Sequence, residues 1–193
     1  MNETAARTRV IVLYESMFGA TRHVAETIAG RLRPVADVTI MNSVDAGPAD
    51  LAQADVIVAG GPTHAFGLSS ETTRAEAKKV AERSDGVLVF DCPDVTRGLR
   101  ELLRALPRAS RQQSFASFST RSGKAPRLFT GSAARRIDRE MRAMGYLPLL
   151  PPRDFLIDST HRLIDGQLTD AADWGAHLAG QLDLHQESRL GER

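Results

Sequence analysis

The sequence predicts an α/β protein with a doubly wound, five-stranded parallel sheet and helices on both faces. Short apolar runs rich in β-branched residues alternate with helical patterns along the chain, which is typical of such a sheet. Several of these runs are apolar at every position, as expected for strands covered on both faces. Ligands of such sheets bind beyond the carboxyl ends of the strands. The loops after strands one, three and four are therefore the candidate site.

The first half of the chain reads β-α-β-α-β. A helical pattern of Val24, Ile28 and Leu32 follows the first strand and stops before Pro34. A short helical turn is predicted at residues 49–53. The three strands are predicted at residues 10–14, 37–41 and 55–59.

The second half continues the alternation less clearly. Residues 73–83 form a thin helical pattern that opens with a possible capping box from Thr73 to Glu76. Residues 87–90 read equally well as a short strand or an apolar loop. Further strands are predicted at residues 114–119 and 154–158, and further helices around Leu99–Leu106, after the cap Ser132, and around Trp174, Leu178 and Leu182.

Length and composition indicate one globular domain. The chain has 193 residues, of which 42% are hydrophobic and 25% charged, a normal globular balance. We predict a domain over residues 9–184, with disordered termini at residues 1–8 and 185–193. No apolar run is long enough to span a bilayer, and no signal peptide is evident. Because the single cysteine also suits a reducing compartment, a cytoplasmic location is expected.

The loop after the first strand has the residues of an anion site. Residues 14–22 read YESMFGATR and lead directly into the helix of Val24. A helix N-terminus offers unpaired backbone N–H groups and the positive end of the helix dipole. Ser16 and Thr21 add hydroxyl donors, and Gly19 lets the backbone wrap closely around a bound group. The alternative is that Ser16 and Thr21 only cap the helix.

Other ligand classes fit the sequence poorly. The loop lacks the glycines of a dinucleotide-binding turn, and no nucleoside triphosphate motif occurs. A phosphoacceptor domain would need an aspartate after strand three, where residues 60–62 read GGP. No Cys and His cluster has the spacing of a zinc site, so no metal is expected. Cys92 has no evident activating base and is expected to be inert.

Two segments resemble a known family. Residues 12–28, which read VLYESMFGATRHVAETI, resemble the flavodoxin signature at its constrained positions. Residues 60–67, which read GGPTHAFG, are similar to the second flavin loop of that family. The chain is thus identified as a member of the flavodoxin-like FMN-binding family, which includes flavodoxins and relatives of NAD(P)H:quinone oxidoreductases. The resemblance implies sheet order 2-1-3-4-5 and noncovalently bound FMN.

The resemblance also implies three cofactor-binding segments. The first surrounds the FMN phosphate, the second borders the isoalloxazine ring, and the third is the loop after strand four. Phe66 is the candidate to stack on the ring, and His64 is the candidate proton donor, although a surface role for His64 is as well supported. His161 could also line the pocket. The expected cofactor-binding residues are Ser16, Met17, Phe18, Gly19, Ala20, Thr21, Pro62, Thr63, His64, Ala65, Phe66, Gly67, Ser119, Thr120, Arg121 and Gly123.

Charge is unevenly distributed along the chain. Residues 97–142 carry 12 basic and 3 acidic side chains, whereas the whole chain has a net charge of +1. A solvated helical face would account for this excess, and so would an anionic partner. Arg121 and Lys124 are expected to attract an anionic electron donor such as NAD(P)H. Phe115 and Phe118 lie in a predicted buried strand and not on a stacking surface, so no nucleic-acid partner is expected.

Three functions are consistent with these expectations. The chain could be an FMN-dependent oxidoreductase that reduces a quinone-like acceptor with NAD(P)H. It could instead be a flavodoxin-type electron carrier for a redox partner protein, or a binding module that has lost FMN. Carriers of this family are typically acidic, whereas this chain has a sequence pI of about 8.0. The charge therefore favours the reductase, and the oligomeric state stays open.

Overall fold

The structure is a computed structural model that describes residues 7–64, 66–109, 112–124 and 126–191. Its parallel sheet has the predicted order 2-1-3-4-5, with the fifth position shared by two short strands that both pair with the fourth. The strands are β1 (Arg9–Tyr14), β2 (Asp37–Asn42), β3 (Val56–Pro62), β4 (Ser114–Ser122), β5 (Leu147–Pro148) and β6 (Arg153–Ile157).

Prolines account for the divided fifth position. Pro151 and Pro152 lie between β5 and β6, and proline has no N–H to donate to a ladder. Pairing with β4 therefore stops after Phe115↔Pro148 and resumes at Phe118↔Arg153. The second of these strands is the one that the sequence predicts.

Helices cover both faces of the sheet. They are α1 (Ala20–Leu32), α2 (Pro48–Gln53), α3 (Glu71–Glu82), α4 (Leu99–Ala105), α5 (Arg127–Thr130), α6 (Ala133–Ala143) and α7 (Gln167–Gly191). Helices α1 and α7 pack on one face, where Val12 and Trp174 belong to the same buried cluster. Helices α2, α4 and α6 pack on the other, around Leu13 and Phe115. Alternate residues of the central strands thus serve two separate cores.

One local expectation needs correction, and one open alternative is decided. The capping box of α3 is formed by Ser70 and Thr73, with Thr73 N donating to Ser70 Oγ at 3.3 Å, and not by Thr73 and Glu76. The helix begins earlier than expected because Ser70 already provides the cap. Residues 87–90 form a loop and no strand. The ladder has no position for them, since β3 pairs directly with β4.

The structure describes the two ends of the chain only in part. Residues 1–6 and 192–193 lie outside the described residues, so the predicted termini and domain limits stay predictions. Helix α7 is assigned through Gly191, past the expected limit at residue 184. Within the described residues, none of the helices combines the length and the apolar character needed to cross a membrane.

Candidate functional site

The loop between β1 and α1, residues 15–19, leaves a set of backbone donors unused. The first helical hydrogen bond of this turn runs from His23 N to Gly19 O, at 3.0 Å. Gly19 has a φ of +90°, a conformation that favours glycine and turns the chain into the helix. Within the described residues, no hydrogen bond is donated by the backbone N–H groups of Met17, Phe18, Ala20, Thr21 and Arg22. Such a group of N–H donors at a helix N-terminus favours an anion.

Hydroxyl groups complete the donor set. Ser16 Oγ accepts a hydrogen bond from Gly19 N at 3.0 Å, which leaves its own proton available. Thr21 Oγ1 lies 2.8 Å from Thr120 Oγ1 in β4. Two hydroxyls carry two protons, and the bond between them uses only one. One proton of the pair therefore remains for a ligand, and the expectation that Ser16 and Thr21 only cap the helix is not what the geometry favours.

A buried network of ionic and hydrogen-bonding side chains anchors the loop between β1 and α1 through Glu15. Glu15 is 1% exposed and accepts hydrogen bonds from Ser69 Oγ and from Leu99 N. Arg74 is fully buried. Its Nη1 lies 3.9 Å from Glu15 Oε1, and its Nη2 donates to Glu101 Oε2 at 2.9 Å. Burial raises the pKa of Glu15, while its hydrogen bonds and Arg74 act in the opposite direction. Sequence reasoning assigned no role to Glu15, because its partners lie far along the chain.

The second expected loop forms a tight turn after β3. His64 N donates to Gly67 O at 2.8 Å, and Gly67 N donates to His64 O at 2.9 Å. Phe66 has the positive φ of this turn, 71°. A Cβ on Gly67 would meet no atom within 4 Å, so the special backbone position is Phe66 and not Gly67. Ala65 lies outside the described residues.

The third loop divides its residues between the cavity and the protein interior. Ser119 Oγ donates to Asp154 Oδ1 at 2.7 Å, and Arg121 Nε lies 3.5 Å from Asp154 Oδ2. Both side chains are thus directed to β6. Gly123 packs against Ile164, since a Cβ there would lie 2.7 Å from Ile164 Cδ1. Of the two cations expected to attract an electron donor, Arg121 is thus paired with Asp154, whereas Lys124 lines the cavity.

One cavity of about 370 Å³ brings most of the expected residues together, a size in the normal range for small-molecule sites. Gly19, Phe66, Gly67, Ser119, Arg121 and Gly123 do not line it. Phe66 is 67% exposed, and the aromatic ring that lines the cavity is Phe18. The lining residues are Ser16, Met17, Phe18, Ala20, Thr21, Pro62, Thr63, His64, Thr120, Ser122, Lys124, Ile157, Asp158, Ser159 and His161.

A fourth segment, after β6, contributes residues that the motif analysis missed. Ile157, Asp158 and Ser159 line the cavity together with His161, which the sequence raised only as a possibility. The ring of His161 lies 4.5 Å from the ring of Phe18, centroid to centroid, at an interplanar angle of 45°. Placement directly after the last strand was the available signal, because all carboxyl ends of a parallel sheet meet at one edge.

Burial shifts the pKa values of two titratable side chains near the loop. Burial lowers the pKa of His64, with smaller contributions of the same sign from His161 and Arg74. Burial also raises the pKa of Cys92, followed in size by the charge of Glu15. Cys92 packs with Met17 and Ala77 behind the loop, and its high pKa agrees with the inert role predicted for it.

The donor set fits the phosphate of FMN. Backbone N–H groups, the Ser16 hydroxyl and the Thr21–Thr120 hydroxyl pair all lie at one cavity, and no acidic side chain belongs to residues 16–21. Lining residues from the loops after β3, β4 and β6 leave room beyond the helix terminus for a larger body. Among the described residues, no group of His, Cys, Asp and Glu could hold a metal ion.

Comparisons with known proteins agree with this fold. The family model "Flavodoxin domain" matches residues 11–84, whereas no curated protein matches the chain. The solved structures similar to this chain include three flavodoxin-related proteins. A flavodoxin from the domain Archaea is 21% identical with a TM-score of 0.59, and the alignment covers 91% of this chain and 99% of that one.

The other two structures give similar values. Flavodoxin 1 from Bacillus cereus is 16% identical with a TM-score of 0.62, covering 90% of this chain and 98% of that one. A WrbA-like protein from Agrobacterium tumefaciens is 19% identical with a TM-score of 0.55, covering 92% and 99%. The resemblance seen in the sequence is confirmed at the level of the fold: residues 11–84 match the flavodoxin domain model, and the fold as a whole is flavodoxin-like.

Proposed function

We propose that this chain binds FMN noncovalently and acts as an oxidoreductase that reduces a quinone or similar acceptor with NAD(P)H. One observation carries the binding step: five backbone N–H groups without acceptors among the described residues belong to the end of the β1–α1 loop and the first turn of α1, and four of the five residues line the cavity. Ser16, Thr21 and Thr120 would hold the phosphate. When bound, FMN supplies the hydride and electron chemistry.

Charge at the cavity supports a reductase over an electron carrier. Lys124, His64 and His161 line the cavity, and Asp158 is the carboxylate among the lining residues. Asp158 Oδ1 already accepts hydrogen bonds from Thr160 and Arg162, which lower the pKa of Asp158. The Asp158 carboxylate is thus engaged within its own turn, and Lys124 is the lining cation that would attract an anionic donor such as a nicotinamide dinucleotide.

The first experiment is the absorbance spectrum of the purified protein. Stoichiometric flavin bands are expected, and a protein that neither retains nor rebinds FMN would contradict the proposal. Bleaching of the bands by NADH or NADPH in air-free buffer is expected of a reductase. Wild-type flavin that neither dinucleotide reduces would instead favour the electron carrier.

The second experiment tests Lys124 as the charge that attracts the donor. We expect Lys124→Ser to slow flavin reduction and to weaken its salt dependence in stopped-flow measurements, because exposed charges act over about 8–10 Å at physiological salt. Lys78→Ser, at an exposed position of α3, is the matched control and should behave like wild type. Arg121 is left unchanged because it pairs with Asp154. Equal rates for both variants would contradict the role of Lys124.

A further inference from the structure

Residues 157–163 form a tight hairpin turn, named here the β6 hairpin, that carries His161 to the cavity. Ile157 and Leu163 are bridged in antiparallel fashion, and Asp158 N donates to Arg162 O at 2.9 Å. The Asp158 carboxylate accepts from Thr160 N and Oγ1, both at 2.8 Å. These bonds define the conformation of the turn.

The backbone of His161 has an uncommon conformation. Its φ is +61°, in the left-handed region, which is uncommon for residues other than glycine and in which histidine is among the enriched residue types. Residues in such conformations persist only where the surroundings determine them, and they concentrate at binding sites. Here the strained position directs the imidazole onto the ring of Phe18, which belongs to the loop that holds the unused N–H donors.

The β6 hairpin is also attached to the loop after β4. Gly123 N donates to Ile157 O at 2.9 Å, and Ile164 would contact any Cβ placed on Gly123. The hairpin therefore has contacts on two sides, at Phe18 and at Gly123. An imidazole held in this way, beside a loop built for an anion, offers a positioned N–H donor.

We propose that His161 is an additional ligand of the cofactor phosphate, supplied by the β6 hairpin across the cavity from the N-terminus of α1. This inference rests on the proposed binding of FMN. Backbone N–H groups and hydroxyls would bind one side of the phosphate, and the imidazole of His161 would donate to the other. The bond would act on the phosphate alone, so it would favour FMN over riboflavin and leave the ring contacts unchanged.

Neighbouring charges do not substitute for His161 in this role. His64 lines the same cavity from the turn after β3, the segment that the resemblance implies is at the ring. Lys124 is exposed, in the loop after β4. Arg162 follows His161 but is exposed, and Asp158 is engaged by the turn itself. Of these groups, His161 is the one whose ring contacts the phosphate loop.

The test separates hydrogen bonding from packing. His161→Phe keeps an aromatic ring on Phe18 but removes the donor, whereas His161→Asn keeps a donor and suits a positive φ. His177→Gln, at an exposed position of α7, and Lys78→Gln, at an exposed position of α3, are the controls. Dissociation constants for FMN and riboflavin are measured by flavin fluorescence quenching on each apoprotein, and circular dichroism checks that each variant folds.

We expect His161→Phe to weaken FMN by roughly 10- to 150-fold, the loss of one hydrogen bond to a charged group, with riboflavin affinity unchanged. His161→Asn should keep part of the preference for FMN, and both controls should keep all of it. An unchanged FMN-to-riboflavin ratio in His161→Phe would overturn this inference while leaving FMN binding intact. So would a ratio lowered to the same extent by His177→Gln. Wild-type protein that binds neither flavin would overturn the proposed function as well.

Discussion

Thr21 and Thr120 stand 99 positions apart in the chain, and their hydroxyl oxygens lie 2.8 Å from each other in the structure. Thr21 lies in the first turn of α1, and Thr120 lies near the end of β4. Both side chains are buried. Because each hydroxyl can donate and accept, the pair joins α1 to β4 and still has one proton for a bound ligand.

Thr21→Ala should therefore weaken FMN binding more than riboflavin binding. Losing one hydrogen bond to a charged group costs about 1.5–3 kcal/mol, roughly a 10- to 150-fold loss of affinity. Fluorescence titration of the apoprotein with both flavins measures this difference.

Thr21→Ser is the matched control, since it keeps the hydroxyl that contacts Thr120. We expect its FMN affinity to stay close to that of wild type. If Thr21→Ala weakened both flavins equally, the hydroxyl would be acting on the fold or the ring, and the assignment of the phosphate to this loop would be wrong.

At the scale of elements, the turn after β3 depends on a contact with the start of α6. Gly131 precedes the cap Ser132 and has a φ of +74°. A Cβ on Gly131 would lie 2.4 Å from the backbone of Phe66. Thr63 Oγ1 also accepts a hydrogen bond from Ala133 N at 3.0 Å. The conformation of residues 63–67 is thus set in part by a segment far along the chain.

Gly131→Ala should destabilise the protein and reduce flavin affinity. The left-handed conformation costs a non-glycine residue roughly 1–2 kcal/mol, and overpacking against Phe66 adds about 1–3 kcal/mol. Urea denaturation measures the free energy of unfolding.

Gly86→Ala isolates the backbone cost. Gly86 has a similar φ of +82°, but a Cβ there would meet no atom within 4 Å. We expect this variant to lose only the first contribution and to keep its flavin affinity. Equal losses of stability in the two variants would show that the contact between Gly131 and Phe66 has no energetic role.

At the scale of the whole molecule, part of the basic excess in residues 97–142 is used inside the fold. Arg100 donates to Ser69 O at 2.5 Å, and Arg121 pairs with Asp154. Arg136 and Arg142 form ion pairs with acidic residues four positions away, within α6. A large segmental charge therefore gives little information on its own about a partner. The expectation for an anionic donor now depends on Lys124 at the cavity.

Global stability should depend on pH through His64. Burial lowers its pKa in the folded protein, whereas an unfolded chain has a histidine pKa of about 6.5. The unfolded state therefore binds more protons between these two values, so stability is present above about pH 6.5 and is lost as pH falls through the lower pKa. We expect the unfolding free energy of wild type to decrease on acidification and that of His64→Gln to decrease less.

His177→Gln provides the comparison for this prediction. His177 is exposed on α7, so its replacement should leave the dependence of stability on pH as in wild type. Urea denaturation of the three proteins at several pH values measures the effect. Parallel curves for wild type and His64→Gln would contradict the assignment of the change to His64.

Much of the fold could be predicted because its signals are local. The apolar runs of β1 and β3 and the spacing of Val24, Ile28 and Leu32 each lie within a few residues, and burial of Trp174 followed from the same periodicity. The error at α3 arose because a neighbouring residue competed, since Ser70 caps the helix in place of Thr73. Residues 87–90 were open between strand and loop, and they form a loop because β3 pairs directly with β4.

The site was predicted only in part. The loop after β1 was identified because its donors are consecutive, and most of its residues line the cavity. Phe66 and Arg121 were expected at the cofactor on the basis of their positions in the loops. Phe66 is outside the cavity lining, and Arg121 is directed to Asp154. The direction of a side chain depends on neighbours that sequence spacing does not reveal.

The sequence by itself determined the α/β class and the candidate anion-binding loop, because strand runs, helix periodicity and the donors at a helix terminus are properties of neighbouring residues. The strand order followed from the resemblance to a known family. Only the tertiary structure decided which distant residues contact that loop and the start of α1. Glu15 is matched with Arg74 and Leu99, Thr21 with Thr120, and Phe18 with the ring of His161. These pairs are separated by many positions and come together because parallel strands bring their carboxyl ends to one edge of the sheet.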